Sequence, residues 1–366
     1  MDRRAEARVN LAAIERNAAR IAAGLTGGAA LCAVVKGDGY GHGAVPAARA
    51  ALAGGATWLA VATAQEAVEL REAGLTDARV LVLGALTPAE LGAALDAGAD
   101  VVAWREAFVA GIGRPARVHV KLDTGMGRLG TRDANEATRV ADAVASAPHL
   151  ELAGAMTHFA TADEPGDDFM PAQLERFAAW AAALRARHPD VLLHAANSAA
   201  TLRDPASHFG LVRAGIALYG LDPFQGDPAE RGLQPALSLR SYVADVKRFA
   251  AGESAGYGRT WRAPADTWVG VLPLGYGDGV RRGLSNDAEI LIRGRRHPLV
   301  GTVSMDNVTV DLGPETEVEP GDEAVLIGEQ GSERITADDW AAQLGTIGYE
   351  IVCGISARIE RRYLGQ

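Results

Sequence analysis

Between residues 31 and 213 the sequence repeats one pattern: a short apolar run, then a helix-like segment. The apolar runs fall at 31–35, 58–62, 79–83, 100–103, 117–122, 150–156, 191–195 and 210–213. Helix-like segments lie between them at 44–53, 65–73, 88–97, 132–146 and 173–187, and Gly74 and Gly98 stand where a helix would end. Short runs with no polar alternation read as strands buried on both faces, which is the condition of a parallel sheet covered by helices. Eight such units over ~200 residues predict a closed (β/α)8 barrel of the TIM type. An open doubly wound sheet is the competing arrangement, but no G-x-G-x-x-G follows the first run, and Gly37-Asp38-Gly39 is only part of that signature.

The rhythm stops near Gly220. Residues 222–228 are rich in turn formers, and Leu233-Gln234-Pro235 reads as a domain junction. Beyond it, β-like runs at 239–249, 267–274, 289–293, 298–303, 307–312 and 323–328 alternate with Gly and Pro. One helix is expected at 336–344, with Thr336 as N-cap and Asp338 and Asp339 in its first turn. The expected organisation is a barrel over 1–232 and a C-terminal mostly-β domain over 233–366.

A net charge of −10 argues against a nucleic-acid surface. Cys32 and Cys353 both sit in apolar runs, so they read as two buried thiols in a reducing compartment. The first six residues have no apolar signal core, and no run approaches the ~18 apolar residues of a membrane span. A cytoplasmic enzyme or binding protein is the expectation.

Only three of the 36 basic residues are lysine: Lys36, Lys121 and Lys247. Guanidinium stays protonated, so a lysine kept where arginine dominates points to chemistry that needs a neutral amine. Lys36 ends the first apolar run, beside low-dielectric packing that lowers the cost of the neutral form, and a neutral amine attacks an aldehyde to form a Schiff base. In a barrel, function collects at the C-terminal ends of the strands. Those ends carry Lys36 with Tyr40, then Lys121 with Arg128 on the loop beyond it, His158, Asn197-Ser198 and Arg213. The loops after strands seven and eight commonly hold phosphate, and Ser198 at a helix start and the backbone of Gly215-Ile216 suit that role. A Schiff-base lysine across from a phosphate cradle implies pyridoxal phosphate (PLP). An arginine at 213 facing the pyridine nitrogen would leave that nitrogen unprotonated and weaken the ring as an electron sink. In the second half, Tyr257 stands between two glycines, where a tight loop could present its hydroxyl.

With these residues in view, the chain resembles the PLP-dependent alanine racemases over essentially its whole length. The stretches that carry the resemblance are AVVKGDGYGHG, KLDTGMGRLG, MTHFATAD, HAANSAA, VRAGIALYG, AGYGRTW, LGYGDG, SMDN and IGYEIVCGIS, in that order. The resemblance implies that Lys36 holds PLP and acts as base on one face of the α-carbon, with Tyr257 as acid/base on the other. It makes His158 and Arg213 the neighbours that tune the tyrosine. Tyr40, Ser198, Gly215, Ile216 and Tyr349 match phosphate-binding positions, with Asn197 nearby. Arg128 and Met305 match substrate-carboxylate positions, and Tyr276 and Asp306 belong to the same substrate-binding group. Lys121 matches a lysine often carbamylated in the family, where the carbamate would orient Arg128. No metal is implied. In the family the tyrosine base, Met305 and Tyr276 come from a neighbouring subunit, so a head-to-tail homodimer is expected, supplying D-alanine for peptidoglycan.

The chain departs from the usual pattern at Gly37 and Gly39, where alanine is commoner. The two extra glycines are expected to loosen the turn after Lys36. Thr302 stands where a basic residue is frequent. Three other readings share the motifs: a serine or broad-specificity racemase, a PLP-dependent decarboxylase, which should lack the 256–258 tyrosine loop, and a non-catalytic PLP carrier, which should match the barrel half alone.

Overall fold

The computed structural model describes residues 3–365; the domain ends expected at residues 1 and 366 lie outside the described residues. Eight strands close into a parallel barrel: β2 (Ala30–Val34), β3 (Trp58–Val61), β4 (Arg79–Val82), β5 (Asp100–Ala103), β6 (Ala116–Lys121), β7 (Leu150–Met156), β8 (Leu192–His194) and β9 (Leu211–Ala214), following β1 (Ala5–Asn10). Ala30 pairs with Leu211, which joins β2 back to β9 and rules out the open sheet. All eight strands coincide with the apolar runs. The reason is physical: a parallel strand walled by helices has no wet face, so its sequence is a block of Val, Leu and Ala.

The helices between the strands carry their own start signals. Thr63 and Thr87 each form a capping box, with Glu66 and Glu90, at the helices Ala64–Glu72 and Pro88–Asp96. Inside the barrel Cys32, Val34, Trp58, Ala60, Leu81, Val102, Met156 and Leu211 form one buried cluster. The same interior also buries Asp100, His119, Lys121, His194 and Arg213, each at most 5% exposed. Charged groups are rarely buried without partners, so this polar column demands an account.

Contacts divide the chain into two compact units, Ala13–Gln234 and a second unit running from Pro235 onward together with the residues before Ala13. Residues 3–12 fall in that second unit because β1 pairs antiparallel with Leu237–Tyr242 and parallel with Glu360–Leu364. The second unit is mostly strand, built on a ten-stranded sheet. The helix Ala337–Leu344 starts at Thr336 through a capping box with Asp339. A further helix, Gly348–Cys353, was not expected from the sequence. It turns Cys353 outward while Ile351 and Val352 are buried, so one of the two cysteines is exposed and the expectation of two buried thiols fails for it. No described helix is long and apolar enough to cross a membrane.

Candidate active site

The barrel mouth is built from the turns that follow the strands. After β2 the backbone passes through Gly37, Asp38, Gly39 and Tyr40 at φ of 62°, 51°, 61° and 53°, a single left-handed turn that begins at Lys36. The turn is tied down twice. The Glu66 carboxylate accepts the Gly37 N–H at 2.6 Å, and Asp38 Oδ1 accepts the Ala44 N–H at 2.8 Å at the start of the next helix. Lys36 and Tyr40 are therefore half-buried side chains on a fixed support.

After β6, Asp123 accepts the N–H groups of Gly125 and Gly127 at 3.0 and 2.9 Å, which shapes the loop presenting the exposed Arg128. After β7, the buried Gln173 amide bonds both ways, accepting the Ala160 N–H at 2.8 Å and donating to the His158 carbonyl at 3.2 Å. That holds the loop of His158. After β8, Asn197 is the true N-cap of the helix Ser198–Arg203, its side chain accepting from Ala200 N. The sequence reading gave that role to Ser198. The Ser198 hydroxyl instead reaches the turn after β9, accepting the N–H groups of Gly215 at 2.9 Å and Ala217 at 3.3 Å. Both lone-pair directions are then in use, and its own O–H remains to donate. Gly215 leaves no room for a side chain: a Cβ there would lie 2.4 Å from Tyr40 Oη. Tyr40, Ser198 and the Gly215-Ile216 turn thus form one cradle.

Arg213 lies behind the cradle. It donates through Nη2 to the carbonyls of Thr157 at 2.8 Å and Ala195 at 2.9 Å, and through Nη1 to His194 Nδ1 at 2.8 Å. Burial lowers it to about 10, so it stays a cation at neutral pH. Burial also lowers Lys121, to about 8, and the charges of Arg213, Arg128 and Lys36 push in the same direction, with Asp123 opposing. His158 is held well below the ordinary histidine range by burial, then by Arg213, Lys121, Arg128 and Lys36. Four cations therefore act on one imidazole, and Arg213 Nη2 itself lies 3.4 Å from His158 Nδ1.

The remaining expected residues belong to the second unit. Tyr257, Met305 and Tyr276 are exposed, at 75%, 52% and 45%. The Tyr257 carbonyl accepts from Thr302 Oγ1 at 2.8 Å, so Thr302 anchors the tyrosine loop. Asp306 accepts from Arg358 at 2.5 Å. Tyr349 is half-buried on the helix Gly348–Cys353. Sequence reasoning missed Asp100, His119 and His194 as members of a network. The signal available was a histidine two residues before Lys121 on the same strand, which places both side chains on one face.

The family model "Alanine racemase, N-terminal domain" matches residues 9–223, and "Alanine racemase, C-terminal domain" matches 236–363. The chain belongs to the alanine racemase family. It is 46% identical over 344 residues to the alanine racemase of Symbiobacterium thermophilum, covering 92% of this chain and 91% of that one. Among solved structures, the alanine racemase from Streptomyces coelicolor A3(2) superposes with a TM-score of 0.93 at 40% identity, covering 99% of this chain and 98% of that one. The Bacillus anthracis alanine racemase, solved with bound L-Ala-P, gives 0.91 at 37% identity, covering 100% and 96%. Membership over both halves removes the carrier reading, which expected a match to the barrel alone.

Proposed function

We propose that this chain interconverts L- and D-alanine with PLP as its cofactor, in a two-base reaction served by Lys36 and Tyr257. One observation carries the reading: the fixed turn that begins at Lys36, the cradle of Tyr40, Ser198 and Gly215, and the buried Arg213 beside His158 all collect at the mouth of one barrel. Such a mouth suits a phosphate at the cradle and, through Arg128, a substrate carboxylate.

The residues present fit the cofactor. The Ser198 O–H and the turn at Gly215-Ile216 suit the phosphate, with Tyr40 closing over it and Asn197 fixing the helix start. Lys36 would hold the cofactor through its aldehyde carbon, and Tyr349 joins the phosphate group by family position. When bound, the cofactor's ring draws electron density from the substrate's α-carbon and acidifies its C–H. Arg213 can only donate to the ring nitrogen, so it adds no proton there and keeps that acidification moderate. Arg128 pairs with the substrate carboxylate, with Met305, Tyr276 and Asp306 as the other substrate-side groups. Racemisation needs a proton removed on one face and returned on the other; the Lys36 amine takes one face and the Tyr257 hydroxyl the other. His158 and Arg213 are the neighbours that tune the tyrosine.

Lys121, lowered to about 8, supplies the neutral amine that carbamylation needs. Its nitrogen would bond to the carbon of CO2 with release of one proton, giving an anion that orients Arg128. The exposure of Tyr257, Tyr276 and Met305 on the second unit supports a head-to-tail homodimer in which a second copy contributes them. In this reading the barrel unit holds the cofactor and the second unit carries the tyrosine. The family implies a cytoplasmic enzyme feeding D-alanine to peptidoglycan.

Chiral analysis tests the reaction. L-Alanine incubated with the purified protein and PLP should approach an equal mixture of enantiomers. Alanine that stays L while L-serine racemises would move the substrate, and no racemisation of either by a PLP-loaded protein would overturn the assignment.

A further inference from the structure

A line of four buried side chains crosses the barrel interior, and the reaction as described uses only its first member. Arg213 Nη1 lies 2.8 Å from His194 Nδ1; His194 Nε2 lies 2.8 Å from His119 Nδ1; His119 Nε2 lies 3.0 Å from Asp100 Oδ2. His119, His194 and Asp100 have no exposed surface, and Arg213 is 3% exposed. At the far end Asp100 also accepts from Arg79 at 2.5 Å and Arg117 at 2.6 Å.

The two ends dictate the hydrogens between them. An arginine has only donors, and an ionised carboxylate has only acceptors. His194 must accept at Nδ1 and so carries its hydrogen on Nε2. That hydrogen points at His119 Nδ1, which must accept in turn, so His119 also carries its hydrogen on Nε2 and gives it to Asp100. One arrangement satisfies every atom, and it runs in one direction. Burial lowers His119, against the pull of Asp100, and burial followed by Arg213 lowers His194 well below the usual range, so both rings are neutral as the arrangement requires. Asp100 stays ionised: burial opposes its charge, but the bonds from His119 and Arg117 and the charge of Arg79 overcome it.

The fold makes room for this line. The β6–β7 register slips between Val118 and His119, so that His119 faces Gly154, where a Cβ would lie 2.1 Å from His119 Nδ1. Only glycine admits the ring there. Trp58 meets the His119 ring edge-on at 5.7 Å between centroids and bears Arg79 at 4.1 Å above its own ring.

We infer that His119 and Asp100 are positioning residues for the racemisation: through the fixed tautomer of His194 they lock the Arg213 guanidinium in the orientation it presents to the cofactor ring. Three of its N–H groups are spent on Thr157, Ala195 and His194, so its orientation has little freedom once His194 cannot flip. The consequence for catalysis rests on the PLP reading; the tautomers do not.

Two measurements on the PLP-loaded protein test this. With 15N-histidine labelling, long-range 1H–15N correlation should show His119 and His194 both neutral with hydrogen on Nε2. A hydrogen on Nδ1 of either ring, or a charged ring, overturns the line. Second, His119→Leu should lower kcat roughly tenfold with KM for alanine changed by less than about twofold, and should shift the absorbance maximum of the bound cofactor. His119→Gln, which keeps one acceptor and one donor, should recover most of both. If Leu and Gln behave alike, the positioning role is wrong. If His119→Leu fails to fold, the tautomers in the unmodified protein decide. Wild-type protein that neither holds PLP nor racemises alanine would instead sink the functional reading, and the tautomer result would still stand or fall alone.

Discussion

Gly215→Ala puts the cradle to a sharp test. Gly215 stands at φ −116° and ψ −94°. The new Cβ would lie 2.4 Å from Tyr40 Oη and 2.9 Å from Cζ. Carbon contacts are comfortable at about 3.5–4.0 Å, so the Tyr40 ring must retreat by about 1 Å. Forced repacking of this kind costs about 1–3 kcal/mol. If about 2 kcal/mol of that falls on the cofactor complex, PLP affinity drops roughly thirtyfold. The assay is titration of the apo-protein with PLP, followed by tryptophan fluorescence, alongside denaturant unfolding without cofactor. A second substitution separates the causes: in a Tyr40→Ala background the ring is gone, and the part of the Gly215→Ala cost that comes from the ring should vanish. Affinity within about twofold of wild type in the single variant would refute the cradle, and so would full additivity of the two substitutions.

Lys36→Ala should leave any bound PLP removable by dialysis, checked by absorbance before and after; cofactor retained covalently would move the attachment elsewhere. Tyr257→Phe should slow solvent-deuterium exchange at the α-carbon of one alanine enantiomer far more than the other, and equal slowing would remove the two-base scheme. Lys121→Met in CO2-free buffer should raise stability at neutral pH. The lysine is lowered from 10.5 to about 8, so the unfolded chain binds the extra proton and the folded state is penalised fully below about 8, by about 3 kcal/mol, with the penalty gone above 10.5. The stability gap between variant and wild type should therefore narrow as pH rises from 7 to 10, and a gap that widens contradicts the sign.

The barrel was readable because a strand walled on both sides by helices must be apolar throughout, and all eight runs behave so. The mouth was readable for a related reason: Lys36, His158, Asn197 and Arg213 interrupt or terminate those runs, and a polar residue in such a place has few structural uses. What the sequence hid is relational. Asn197 and Ser198 are adjacent cap formers, and only the Gly215 turn reveals that the serine is used across the mouth. The helix Gly348–Cys353 is two turns at most, too short for a period to register. Asp100 and His119 sit inside apolar runs where one polar residue looks incidental, and their meaning comes from four strands, β5, β6, β8 and β9, meeting in space.

The turn after Lys36 shows how a sequence departure can reverse its meaning. Glycines at 37 and 39, where the family resemblance led to an expectation of alanine, read as looseness beside the residue that most needs to be fixed. In the fold, five consecutive residues, 37–41, have positive φ. A residue with a Cβ is strained there by about 1–2 kcal/mol. Asp38 tolerates it through its bond to the Ala44 N–H, and Tyr40 carries the strain unaided by glycine. Gly37, Gly39 and Gly41 relieve the other three positions, so they hold the turn in shape at the cost of a more disordered unfolded chain. The two positions also differ. A Cβ at 37 meets nothing within 4 Å, so Gly37→Ala should destabilise by the backbone cost alone, about 1 kcal/mol. A Cβ at 39 would lie 3.2 Å from Ala44 N and 3.4 Å from Ala47 Cβ, so Gly39→Ala should cost more. Denaturant unfolding of the two single variants reads both terms. If Gly37→Ala is neutral or stabilising, the turn is not the left-handed one described, and Lys36 owes its position to something else.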